Sequence, residues 1–323
     1  MRTMPLSLNR TERGGSAGYS LLELTISMAV MTVVSGAAFS GIFKLTKTTG
    51  TVSNRTEMHA GVRNATALLQ QEIGQAGRIT FAADTLTTAT AVPAPDTTVT
   101  LTLVPVPVAA GIGGLFVGEQ LVVDVGNDEE TVTLTAVSPG TNQVTALFKR
   151  AHNAGVPVRV YGGFRDGIVP PTVANGSTGT VLKLFGDING TGEMVYVEYS
   201  CDIQNGLGNL IRRSMPIDTV NKPAITADQS LLNNIVPNPG NTPCFTYQSN
   251  VQYNETFVTD VAVTLTVQTP DRDPETGLFQ TETKALLNVS PRNVFNMWQL
   301  AGQSIFNRVQ PTPPSVTNLL PQP

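Results

Sequence analysis

The stretch Gly18-Tyr19-Ser20-Leu21-Leu22-Glu23-Leu24-Thr25 opens an apolar run that continues to Phe43, and Glu23 is the one charged residue between Tyr19 and Phe43. As a helix of 1.5 Å rise per residue this run would reach roughly 37 Å, enough to cross a hydrocarbon core about 30 Å thick. A carboxylate near the bilayer centre costs on the order of 2.5 to 3.5 kcal/mol, less near the interface, so such a residue calls for a partner. Residues 1–18 carry Arg2, Arg10 and Arg13 against Glu12, a net charge of +2. Positive flanks stay cytoplasmic, which places the N-terminus inside and residues 44 onward outside.

Three readings of this segment compete. A plain membrane anchor leaves Glu23 unexplained. A secretory signal would be cut at the small residues Ser35-Gly36-Ala37, but it needs an uninterrupted apolar centre. The third reading is cleavage before the apolar segment. The residues Gly18, Tyr19 and Glu23, with Leu21-Leu22-Glu23-Leu24 between, resemble the N-terminal cleavage and methylation motif of type IV prepilins. That resemblance implies that a prepilin peptidase cuts after Gly18 and that the new N-terminal Tyr19 is N-methylated; the family commonly has Phe at this place. It also implies that Glu23 attracts the free amine of a neighbouring subunit during assembly. An ammonium and a carboxylate that meet in a low dielectric neutralise one another, whereas either alone bears its desolvation cost.

Removing the 18-residue leader would take the chain from 323 to 305 residues and from 20 basic and 24 acidic side chains to 17 and 23, a net charge of −6. A mildly acidic chain gives no electrostatic reason to expect nucleic acid as a partner. Its length allows one large or two modest cores, and its Gly, Pro, Thr and Val content with few charges suits an exported β-rich protein. Two cysteines occur, Cys201 and Cys244. In an oxidising compartment they are expected to pair, closing a loop of about 44 residues and contributing about 3 to 4 kcal/mol through chain entropy.

From residue 44 to about 80 the pattern becomes amphipathic. Leu45, Val52, Val62, Ala65, Leu68, Leu69, Ile73 and Ala76 recur mostly at three, four or seven residue steps. Gly77 is placed to cap the helix end, with Arg78 near the negative end of its dipole. Residues 82–98 read as a loop or short edge strands. Alternation at Val99–Val104, Gln120–Val125, Glu130–Val137, Val144–Phe148 and Val156–Val160 then marks a compact β module over 81–165. A β head follows over 166–310, with paired strands at Thr180–Phe185 and Glu193–Tyr199, further strands at Leu210–Arg213, Val258–Val267 and Thr281–Val289, and a short helix or turn near Trp298 that closes a core face. The turn at 186–192, the Tyr-containing strand and the Leu210-Ile-Arg212 segment resemble PilW-like minor pilins; the module over 81–165 departs from them. The tail 311–323 is Pro-rich and expected to be extended or disordered. The expected fold is therefore α+β: a long N-terminal helix, half membrane segment (19–43) and half spine (44–80), on an antiparallel β head with an inserted β module.

Asp187, Asn189, Thr191 and Glu198 occupy the first, third, fifth and twelfth places of a calcium-loop spacing, with Gly192 at the sixth. A hairpin explains the same letters through the positive φ that Asn-Gly favours, so a weak calcium site stands beside a purely structural turn. His152 is expected to stabilise a turn. The chain shows no nucleophile elbow, P-loop or Cys/His metal cluster, so an enzyme is not expected, and no cofactor beyond the weak calcium possibility. The resemblance implies a minor pilin of a type IV pilus, serving priming, adhesion, motility or DNA uptake, or else a type II secretion pseudopilin. Its partners would be prepilin peptidase, other pilin subunits and an inner-membrane assembly platform. It would cross the inner membrane once, with a periplasmic head, and end in or at the tip of an extracellular pilus. An unrelated membrane-anchored surface-binding domain is the third class.

Overall fold

The structure is a computed structural model that describes residues 18–323, apart from the side chains of residues 286–288. The leader expected over 1–18 thus lies, except for Gly18, outside the described residues. Two compact units are distinguished, residues 18–53 with 273–277 and residues 54–272 with 278–323. In the first, helix α1 (Leu21–Gln75) begins, and Thr51 donates a 3.0 Å hydrogen bond to the Asp273 carboxylate. The chain is α+β: one long N-terminal helix followed by a β-rich region of antiparallel sheets.

In the second unit α1 buries Met58, Val62, Ala65, Leu69 and Ile73, a stripe at three and four residue steps along one face that the adjoining Ala76 continues. Leu45 and Val52, expected on this stripe, are exposed; the buried face starts at Met58. The helix stops because Gly77 turns into the left-handed region at φ +81° and gives its N–H to Phe185 O at 2.9 Å instead of to the helix. Backbones crowd there, and a Cβ on Gly167 would fall 2.2 Å from Gly77 Cα.

Residues 85–159 form a closed antiparallel barrel from β1 (Thr85–Thr88), β2 (Thr97–Val106), β3 (Gln120–Val123), β4 (Glu130–Ser138), β5 (Gln143–Phe148) and β6 (Pro157–Arg159), in the order β1-β2-β5-β4-β3-β6 and back to β1. Alternate residues such as Leu101, Leu103, Val132, Leu134, Val144, Ala146 and Phe148 fill its interior. Closure removes the sheet edges that six short strands would otherwise expose. β1 lies inside the stretch read as loop or edge strand; in the ring it has partners on both sides.

After the short β7 (Gly163–Phe164), the main sheet contains β8 (Val181–Gly186), β9 (Val195–Gln204), β10 (Leu207–Pro216), β11 (Ser230–Val236), β12 (Phe245–Gln252), β13 (Glu255–Gln268) and β14 (Thr281–Val289), in the order β12-β13-β11-β10-β9-β8 with β14 also on β13. One face carries Leu182, Leu184, Val197, Tyr199, Leu210, Val261 and Val263 against the α1 stripe. The disulfide Cys201–Cys244 ties β9 to the residue preceding β12, with Cα atoms 6.6 Å apart. Helix α2 (Arg292–Gly302) buries Val294, Met297 and Ala301, with Trp298 half-buried on the same cluster.

The tail differs from the extended or disordered expectation. Just before it, β15 (Val309–Gln310) pairs parallel to β7, and in the tail helix α3 (Pro314–Leu319) buries Val316 and Leu319, with the adjoining Leu320, against Phe185, Tyr196 and Met215. The prolines do not oppose this: Pro314 sits in the first turn of α3, where its missing N–H would have had no helical partner.

Candidate functional site

The N-terminal end of α1 holds the residues on which the functional reading rests. Gly18, Tyr19 and Ser20 precede the helix in exposed, non-helical backbone. Ser20 then caps it: its hydroxyl accepts from Leu22 N–H at 3.3 Å, and its own N–H donates to Glu23 Oε2 at 3.3 Å. Ser20-Leu21-Leu22-Glu23 has the spacing of a capping box; Glu23 answers the Ser20 N–H as in that motif, while the Ser20 hydroxyl meets the second helical N–H instead of the third. Glu23 therefore has a local task, satisfying a donor at the positive end of the helix dipole, beside any role toward a second subunit.

Beyond the cap, Leu21, Leu24, Ile26, Met28, Met31, Val33, Phe39 and Phe43 are exposed. Among the described residues this is the one helix long and apolar enough to cross a membrane. Three of its threonine hydroxyls are turned onto the helix: Thr25, Thr32 and Thr46 donate to the carbonyls of Leu22, Met28 and Ile42 at 2.8 to 3.0 Å. In hydrocarbon that internal bonding removes the cost of an unsatisfied donor.

The calcium set needs correction. Asp187 Oδ1 accepts from Thr191 N–H at 3.0 Å, and its other oxygen lies 3.5 Å from Arg78 Nε, as a turn-stabilising aspartate should. Gly190 and Gly192 take φ of +68° and +86° between β8 and β9. Glu198 is on β9, buried among Arg213 Nη2 at 2.8 Å, Lys222 Nζ at 2.8 Å and Tyr196 Oη at 2.9 Å, with Lys183 Nζ at 3.9 Å. A cation placed on that carboxylate would face three positive charges, so the four residues do not fit calcium. Hydrogen bonds and charge from Lys222, with Tyr196 and Arg213, outweigh burial and hold the Glu198 carboxyl below its usual range; burial lowers the Lys183 ammonium.

Two further ion-pair centres escape a reading by motif. On the spine, Glu72 is buried and accepts from Tyr199 Oη at 2.5 Å and from Arg212. In the barrel, His152 is enclosed between two carboxylates, with Nδ1 3.0 Å from Asp124 Oδ2 and Nε2 2.6 Å from Glu130 Oε1. Burial alone would lower the His152 pKa; the hydrogen bonds and charges of Asp124 and Glu130 override it and raise it. The same hydrogen bond is the main reason that Asp124 is lowered. Asp124 and Glu130 flank the Gly126–Asp128 turn, and the acidic run around that turn was the available signal; it said nothing of a histidine more than twenty residues away. Glu119, at the entry to β3, is fully buried, accepts from Phe116 N–H at 3.2 Å and has one oxygen without a hydrogen bond; burial raises its pKa to about 8. Among the described residues no three His, Cys, Asp or Glu side chains form a set able to hold a metal ion.

No family model, curated protein or solved structure matches the chain.

Proposed function

We propose that this chain is a pilin-like subunit, best placed as a minor pilin of a type IV pilus. In this reading prepilin peptidase cuts between Gly18 and Tyr19, Tyr19 is N-methylated, and the protein waits in the inner membrane with its head in the periplasm. Assembly buries the exposed apolar part of α1 among the helices of neighbouring subunits. The observation that carries the reading is a single carboxylate, Glu23, in the first turn of a helix whose next twenty residues hold no charge. That carboxylate stands four residues after the position where the cut would create an ammonium. In a low-dielectric bundle the amine of one subunit and Glu23 of the next would each remove the other's desolvation cost. The continuation of the same helix into a buried spine beneath an antiparallel sheet supports the layout of such subunits.

A type II secretion pseudopilin would use the same leader, amine and carboxylate, and differs in the machine that it joins. Mass spectrometry of the protein purified from membranes is the test. A mature chain that starts at Tyr19 and carries one extra methyl group supports the pilin reading. A chain that keeps Met1, or starts after Ala37, overturns it in favour of an anchored or secreted surface domain.

A further inference from the structure

Tyr253 is an unusual residue for its place. It stands at the tip of the β12–β13 hairpin with φ +50°, followed by Asn254 at φ +64°. Such a turn wants Asn, Asp or Gly at both central positions, because a Cβ and a large ring are unfavourable at positive φ. The ring is not there to fill a core, since Tyr253 is 57% exposed. It stands edge-to-face on Phe306, itself 43% exposed, with centroids 4.8 Å apart and planes at 86°. Its hydroxyl meets Ser304 Oγ at 2.9 Å, and Ser304 is a second non-glycine at positive φ, +63°. Two turns from separate parts of the second unit thus hold strained backbone in order to keep a pair of aromatic rings at the surface.

Beneath the rings lies a pocket of about 310 Å³. It is lined by Gln120, Arg165, Gln252 and Glu255 as well as by the two rings. Arg165 is ion-paired with Glu255, so the two linings cancel in charge. The side chain of Gln252 has no partner among the described residues. Gln252 and Glu255 pair to close the hairpin immediately beside the pocket.

From this geometry we infer that the Tyr253–Phe306 pocket binds a neutral saccharide. The volume is at the lower end of ordinary ligand pockets and suits one or two sugar rings. The aromatic faces match the apolar C–H face of a pyranose. Neighbouring hydroxyls each donate and accept, and the pocket offers a donor-only guanidinium, an acceptor-only carboxylate and amides that do both. No net charge selects a charged ligand. Strain at Tyr253 is then explained as a local cost kept for binding. The inference does not depend on leader cleavage or on filament assembly.

The test is isothermal titration of the purified full-length chain with cellotetraose and with tetra-N-acetylchitotetraose. A zwitterionic detergent is required, because a glycoside detergent would compete. A proline-rich peptide serves as the comparison ligand. Expected is saturable binding of at least one oligosaccharide and none of the peptide. Tyr253→Gly, which relieves the positive φ and deletes the ring, should weaken binding at least tenfold. Gln252→Ala removes only an unpartnered amide and should weaken it several-fold with an unchanged melting temperature. Absence of binding to both sugars, binding of the peptide alone, or wild-type affinity in Gln252→Ala would overturn the assignment.

Discussion

Glu72 of α1 and Arg212 of β10, 140 residues apart in sequence, form a two-pronged ion pair: Arg212 Nη2 lies 2.5 Å and Nε 3.1 Å from Glu72 Oε1. Tyr199 Oη adds a third donor on the other oxygen. This arrangement sets which turn of the spine lies over β9 and β10, since sliding by one residue would swing Glu72 into the apolar face around Leu69 and Ile73. Removing one member of a buried pair leaves the other desolvated and uncompensated. Glu72→Ala is therefore expected to destabilise the head by about 3 kcal/mol or more. A lower urea midpoint with an unchanged slope would show it. Combining Glu72→Leu with Arg212→Met should recover much of the loss, and failure to do so would mean that Tyr199 dominates.

The barrel carries two groups whose pKa is raised in the folded state, His152 and Glu119. A raised group contributes stability that is fully present below its unfolded value and is lost as pH rises through its folded value. For Glu119 that window runs from about 4.5 to about 8; for His152 it begins near 6.5 and extends upward. Asp124, being lowered, acts in the opposite sense, but only at acid pH below its ordinary range. Thermal melts are therefore expected to show a barrel that weakens as pH rises from about 4.5 to about 8 through Glu119, with His152 adding to the fall above about 6.5. Glu119→Gln should flatten the lower part of that fall and stabilise at neutral pH. His152→Ala should cost about 3 kcal/mol or more by removing the buried, hydrogen-bonded group that stands between the Asp124 and Glu130 carboxylates.

The Cys201–Cys244 bridge closes a sequence separation of 43 residues that includes all of β10 and β11. The chain-entropy relation gives about 4 kcal/mol for a loop of that size. Replacing both cysteines by serine is expected to lower stability by this amount or somewhat less. A denaturation midpoint equal to that of the wild type under non-reducing conditions would contradict it.

Docking of the tail is a fourth point for measurement. Leu319 is fully buried beside Phe185 and Tyr196, so Leu319→Ala is expected to cost about 2 to 5 kcal/mol, as for a core residue. An exposed or disordered tail would tolerate that change with no effect on the melting temperature.

Why some of this was readable in the sequence and some was not follows from the range of the interactions. The charge-free run after Glu23 and the Val62–Ala76 stripe are local patterns, and their helix is present. The Asp187–Gly192 turn and its flanking strands are likewise local, as are the alternations of β2, β4 and β5. β11 and β12 were missed because Asn233, Asn234, Gln248, Ser249 and Asn250 break the alternation; β12 is an outer strand that buries little beyond Phe245. In the tail, prolines masked Val316, Leu319 and Leu320, whose burial depends on β7 lying alongside β15, almost 150 residues away in the chain. Glu198 fitted a calcium spacing by its number alone. Its cations come from β8, β10 and the segment after β10, which no one-dimensional spacing encodes.

The hydrogen bond from Ser20 N–H to Glu23 makes the proposed assembly role of Glu23 separable from its helix role. Glu23→Gln keeps an oxygen that can accept from Ser20 N–H but removes the charge, whereas Glu23→Ala removes both. If the carboxylate serves the helix alone, Gln should behave as wild type and Ala should fray the first turn at a cost of about 1 kcal/mol. If it meets the amine of a neighbouring subunit in a low dielectric, Gln should be as defective as Ala, because a neutral amide leaves that amine without its counter-charge. Incorporation into membrane-extracted filaments, scored by immunoblot beside the unassembled membrane pool, distinguishes the two. The pilin reading predicts that both variants are cleaved after Gly18 and accumulate in the membrane, and that neither enters filaments. Normal incorporation of Glu23→Gln would reduce Glu23 to a helix cap and remove the electrostatic basis for assembly.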